Sequence, residues 1–235
     1  MKIRQFLAAA LAVCALAMPA MAQNQETHDP NAKKVLDKVK TTTKGYESLR
    51  ASFDWTLENK AQKTKDTKSG VMFIKGDKYK LMLGGTEMFS DGKTMWTYSK
   101  DANEMTISEL EESDDNIISN PTKIFDLYQK GFKYAMKGEA SNEVKVKQDG
   151  KVTKVKKACQ IIDLYPEQPK GKDFHTMQLV VDKATGLTTS ITIKFKNGSE
   201  QTIEITEYKP NVTVSDALFT FDPAKYPGVE VNDMR

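Results

Sequence analysis

Histidine, cysteine and paired carboxylates build most catalytic and metal sites, and this 235-residue chain carries 2 His and 2 Cys. His28 lies in a polar stretch and His175 at a strand position, too isolated to form a two-histidine site. Neither a G-x-S-x-G elbow nor an H-E-x-x-H pair occurs. Cys14 and Cys159 are too few for a zinc module, an iron–sulfur cluster or a disulfide scaffold. The acidic run Glu111-Glu112 to Asp114-Asp115 lacks the interleaved grammar of a calcium loop and reads as a solvated face. Cys159 reads as a buried, inert thiol. The residues point away from an enzyme, and no metal or cofactor is implied.

Binding is the remaining class, and charge narrows it. Lys+Arg number 35 against 32 Asp+Glu, interleaved along the chain, so the basic stripe that nucleic acid requires is missing. Apolar chemistry is better represented. Of 11 Met, Met1, Met18 and Met21 fall in the first 22 residues. Seven of the others, Met72, Met82, Met88, Met95, Met105, Met136 and Met177, sit in predicted strands. Methionine adapts to irregular space, which suits either a cavity for flexible apolar ligands or an ordinary β core.

The elements that would position these side chains begin after a secretory signal. Lys2 and Arg4 precede an apolar run over 6–18, and Pro19-Ala20-Met21-Ala22 ends in a small-x-small cleavage pattern. The run is short of the roughly 20 residues that span a bilayer, so cleavage after Ala22 is expected rather than anchoring. Cys14 follows Val13 inside the apolar run, which argues against lipidation. Residues 1–22 are therefore read as signal peptide and 23–235 as a single domain, with the formal net charge falling from +3 to +1. Apolar residues make up roughly 35% of that domain, against about 45–50% in typical globular chains. Such a composition suits an open sheet or a partly empty interior.

Asp29-Pro30 gives an N-cap followed by proline at the first helical position, and Ala32, Val35, Leu36 and Val39 recur at helical spacing to about Lys44. The period then becomes two. Leu49, Ala51, Phe53, Trp55 and Leu57 alternate with polar residues, and strands are predicted over 49–57, 70–75, 79–83, 87–90, 94–99 and 105–110. Further strands follow over 132–137, 158–164, 175–181, 188–195 and 201–208, with a Lys-rich hairpin over 144–155. Asp91-Gly92 and Asn197-Gly198 carry the type I′ signal, and Asp149-Gly150 reads similarly. The fold class is mainly β: an antiparallel meander large enough to curl into a barrel or half-barrel. Asn120-Pro121 opens a short amphipathic helix with Ile124, Phe125, Leu127 and Tyr128, read equally as core plug or movable cover.

Three segments then resemble the periplasmic outer-membrane lipoprotein carrier family, LolA. Ser90-Asp91-Gly92-Lys93-Thr94-Met95-Trp96-Thr97-Tyr98 is similar to its S-D-G-K-T-L-W-x-Y hairpin. Leu218-Phe219-Thr220-Phe221-Asp222-Pro223 with Pro227-Gly228-Val229-Glu230-Val231 resembles its ending, and the helix running into Ala51-Ser52-Phe53 resembles its beginning. The resemblance implies an unclosed antiparallel β-barrel with an N-terminal helix and a short helical lid over an apolar cavity. It implies transport in the periplasm of a Gram-negative bacterium: acyl chains of outer-membrane lipoproteins are taken from an inner-membrane ABC transporter and delivered to the outer membrane or a receptor there, by a monomer. Strand alternation and lid position nominate Phe53, Trp55, Phe73, Leu81, Met88, Trp96, Met105, Ile117, Ile118, Ile124, Phe125 and Met136 as acyl-facing. The alternatives are another lipid, such as a polyprenoid, pigment or fatty acid, or a lipoprotein-sensing interaction protein on the same fold.

Two departures stand out. Where the family carries Arg-Pro after the strand at 71–75, an arginine linked to lid closure, this chain has Gly76-Asp77, so a latch built on that arginine is not supported. The hairpin over 143–157 is longer than expected, and is read first as an edge protected by charge and second as a surface for an acidic partner.

Overall fold

The computed structural model describes residues 28–110 and 131–235. The expected signal peptide and the helix expected after Pro121 lie outside the described residues.

Helix α1 (Pro30–Lys44) starts where the Asp29-Pro30 signal places it. Asp29 Oδ1 accepts from the amides of Asn31 (2.8 Å) and Ala32 (3.3 Å), which have no partner within the helix. Its other oxygen accepts from the Met136 amide at 2.9 Å, so one carboxylate both caps the helix and ties it to the sheet. These hydrogen bonds, that from Met136 foremost, hold the Asp29 carboxyl below the usual aspartate range.

Twelve strands follow among the described residues: β1 (Leu49–Asn59), β2 (Thr64–Lys75), β3 (Lys78–Leu83), β4 (Thr86–Ser90), β5 (Thr94–Ser99), β6 (Glu104–Glu109), β7 (Phe132–Gln148), β8 (Lys151–Pro166), β9 (Phe174–Asp182), β10 (Thr188–Phe195), β11 (Ser199–Pro210) and β12 (Glu230–Asp233). They form one open, curved sheet in the order β12-β6-β5-β4-β3-β2-β1-β11-β10-β9-β8-β7. All neighbours are antiparallel except β12, which runs parallel to β6. The sheet does not close, because β12 and β7 are its two edges.

Hairpin chemistry departs from expectation at two turns. Asp149 (φ 50°) and Gly150 (φ 79°) are both left-handed, as a type I′ turn requires. At Asp91-Gly92 and Asn197-Gly198 only the glycine is, so these are not type I′. Asp91 Oδ1 instead holds the amides of Lys93 (2.9 Å) and Thr94 (2.8 Å).

Strand register sorts the apolar residues onto two faces. α1 lays Ala32, Val35, Leu36 and Val39 on one face, against Tyr134, Ile162, Leu164, Met177, Leu179 and Ile191 of β7 to β10. On the far face, Phe89, Met105 and Ile107 form a separate cluster with Trp96 and Tyr98. There Phe221, Tyr226 and Val229, from the segment leading into β12, cover them.

Candidate functional site

The helix face is apolar from one side of the sheet almost to the other. Cross-strand partners run Met88, Leu81, Met72, Ala51 and Tyr208 through β4, β3, β2, β1 and β11. A second row runs Trp55, Ile203, Ile191, Leu179, Ile162 and Met136 from β1 to β7. α1 covers only the β7–β10 end of these rows. At the other end, Ala51, Phe53, Met72 and Leu81 pack with half-buried Trp55, Ile74, Leu83, Met88, Ile203 and Ile205, a cluster to which, among the described residues, only strands contribute.

Local sequence explains this geometry. A bulge between Ser52 and Phe53 shifts the β1–β11 register by one residue, keeping Phe53, Trp55, Ile203 and Ile205 on one face. Gly70 pairs with Phe53 and leaves room for its ring: a Cβ there would collide with Phe53 and come within 2.9 Å of the Met82 carbonyl. Polar groups are sparse on this face. The Tyr208 hydroxyl donates to the Thr188 carbonyl at 2.8 Å, and burial, with Tyr46 nearby, pushes its ionisation upward, so it stays neutral. Gln201, opposite Leu57 and Ile193, has a buried side-chain oxygen without a hydrogen-bond partner among the described residues.

The nominated residues divide. Phe53, Trp55, Leu81 and Met88 come together on the half of the helix face that α1 leaves open, and Met136 lies on the same face beside the α1 cluster. Phe73, Trp96 and Met105 do not join them. Met72 and Ile74 point to the helix face, which turns Phe73 to the far face under the Arg50 guanidinium, 5.9 Å from its ring centroid. Met95 pairs with Ser90 on the helix face, so Trp96 alternates away, and Met105, fully buried, belongs to the far-face cluster. Ile117, Ile118, Ile124 and Phe125 lie outside the described residues. Sequence reading missed Met72, Ile74, Leu83, Ile203 and Ile205 as members of this face; alternation alone would have found the last two.

His175 is exposed and its Nδ1 is engaged with Thr176 Oγ1 at 2.8 Å. Cys159 is a free thiol without solvent exposure, and burial pushes its ionisation upward. Among the described residues no group of three or more His, Cys, Asp or Glu is placed to hold a metal, and no helix is long and apolar enough to cross a membrane.

The outer membrane lipoprotein carrier protein LolA family matches residues 19–177. The chain belongs to the LolA family. No curated protein matches it. Among solved structures, an uncharacterized conserved protein from Thermus thermophilus is 12% identical over 86% of this chain and 99% of its own, with a TM-score of 0.51. A LolA superfamily protein from Nitrosomonas europaea is 11% identical over 82% and 98%, at 0.44. The lipoprotein LppX of Mycobacterium tuberculosis is 12% identical over 80% and 100%, at 0.43. The open, curved sheet with α1 on its apolar face is the LolA-like fold.

Proposed function

We propose that the protein is a periplasmic carrier that holds the acyl chains of outer-membrane lipoproteins against the half of its helix face that α1 leaves open. It receives them from an inner-membrane releasing ABC transporter and hands them to the outer membrane, directly or through a receptor. The observation that carries this reading is an apolar surface across β1 to β4 and β11, left without helix cover by α1, in a member of a lipoprotein carrier family. The energetics are consistent. Each buried CH2 is worth about 0.8 kcal/mol, so acyl chains cross water only when enclosed. Half-buried Met88 and Trp55 supply a surface that adjusts to chains of different length and branching.

The test is purification of the protein from cells whose lipoproteins carry radiolabelled palmitate. Labelled lipoprotein should co-purify, and adding the protein to spheroplasts should release more. Absence of both sinks the reading. Native mass spectrometry separates it from the lipid-carrier alternative, because a triacylated polypeptide and a free polyprenoid or fatty acid differ unmistakably in mass.

A further inference from the structure

β7 and β8 extend beyond the sheet as a two-stranded ribbon. β8 pairs with β9 only from Cys159 to Leu164, and the Ala158 carbonyl accepts from the Lys183 amide (3.0 Å) where that ladder ends. Residues 151–156 pair with β7 on one side and, among the described residues, have no strand on the other. All six are exposed, including Val152 (48%) and Val155 (38%).

The ribbon is held in place. Its β7 strand turns inward, with Val144 packed on Cys159 and Val180. Lys145 reaches Asp54 of β1 at 2.9 Å and Glu204 of β11 at 2.7 Å. Lys157 pairs with Asp182 at 2.7 Å, closing the base. What faces outward is therefore a fixed strand edge. Residues 143–157 carry six lysines against two carboxylates. Of the outer lysines, Lys154 has only Glu143 at 3.7 Å, and Lys151 and Lys156 have no carboxylate partner among the described residues.

Lysines on an edge repel a second copy of the same edge. That alone does not account for two exposed valines between them. Val152 stands opposite Lys147 and Val155 opposite Val144, on opposite sides of the ribbon. A flat lipid surface would meet one valine and leave the strand's outward backbone groups unpaired. An added strand would cover both valines, pair the backbone and set its carboxylates beside the lysines.

We propose that residues 151–156 form a docking edge for an acidic, extended segment of a partner protein, which adds as a further strand beside β8. This goes beyond the carrier reading and holds whether or not acyl cargo is bound. The probe is a synthetic ten-residue peptide alternating Glu and Asp with Val and Thr, titrated into the full protein and followed by amide chemical shifts. Shifts should centre on 151–158, and binding should weaken with salt. N-methylation of every central peptide amide, which keeps the charge and removes the backbone donors, should weaken binding about tenfold or more, as should Lys151→Glu, Lys154→Glu and Lys156→Glu together. The triple variant should melt like the parent and keep its lipoprotein binding. Equal binding by the N-methylated peptide, equal binding by the triple variant, or binding to phosphatidylglycerol vesicles without binding to the peptide would each overturn the proposal.

Discussion

On the far face, Phe89, Met105 and Ile107 lie beneath Phe221, Tyr226 and Val229, whereas on the helix face Trp55, Leu83 and Met88 sit in a cluster built, among the described residues, of strands alone. Both clusters mix aromatic residues with methionine, so composition does not distinguish them. Closure does. Tyr226 packs edge-on against Tyr98, with ring centroids 4.6 Å apart, and donates its hydroxyl to Glu87 at 3.0 Å. Asp216 bridges Lys75 and Lys78 at 2.7 Å each, which holds its carboxyl at about 2 and pins the turn that buries Phe219. The far-face cluster is thus covered by the chain itself, whereas the strand cluster on the helix face has no such cover among the described residues. A methionine-rich surface is a stability element in the first setting and a binding surface in the second.

The contrast breaks most visibly at Met105. Truncating this fully buried side chain, Met105→Ala, should cost about 2–5 kcal/mol in chemical denaturation, with lipid binding lost only in step with folding. Trp55→Arg with Met88→Glu should do the reverse: lipoprotein retention falls about tenfold or more, while the denaturation midpoint stays near that of the parent. If the two pairs of results exchange places, the faces have been assigned wrongly.

Smaller effects sharpen the comparison. Gly70→Ala should push the Phe53 ring from its seat and destabilise by about 1–3 kcal/mol, altering bound lipid more than any far-face change of equal cost. Asp29→Ala removes the cap and the tie to Met136 and should cost about 1 kcal/mol. The sign with pH follows from its lowered carboxyl. That stabilisation is complete above the ordinary aspartate range and disappears as pH falls through the folded-state value, so Asp29→Ala should flatten the acid limb of a stability–pH curve. Lys145→Met should leave global stability nearly unchanged and speed hydrogen exchange at 144–147, because it frees the ribbon from Asp54 and Glu204.

The helix was legible because Asp29-Pro30 and four apolar residues at helical spacing act locally, and it occupies Pro30–Lys44 as expected. Most strands were legible from alternation for the same reason. Residues 64–69 were not: that half of β2 is exposed on both sides and leaves no apolar signature. Which face a strand shows depends on bulges and turn lengths, and one step of register moved Phe73, Trp96 and Met105 away from the residues they were grouped with. The covering role of Phe221, Tyr226 and Val229 was hidden because it depends on contacts with strands more than 100 residues earlier, which no local pattern encodes.

Cys159 has a use that comes from its position rather than its reactivity. It sits at the base of the ribbon, where β8 gains β9 as a second neighbour, and is closed to solvent. A thiol reagent reaches it only when that junction parts. In protein freed of residues 1–22 it is the sole sulfhydryl, so its rate of modification becomes a native clock for separation of ribbon and sheet, read without an engineered probe.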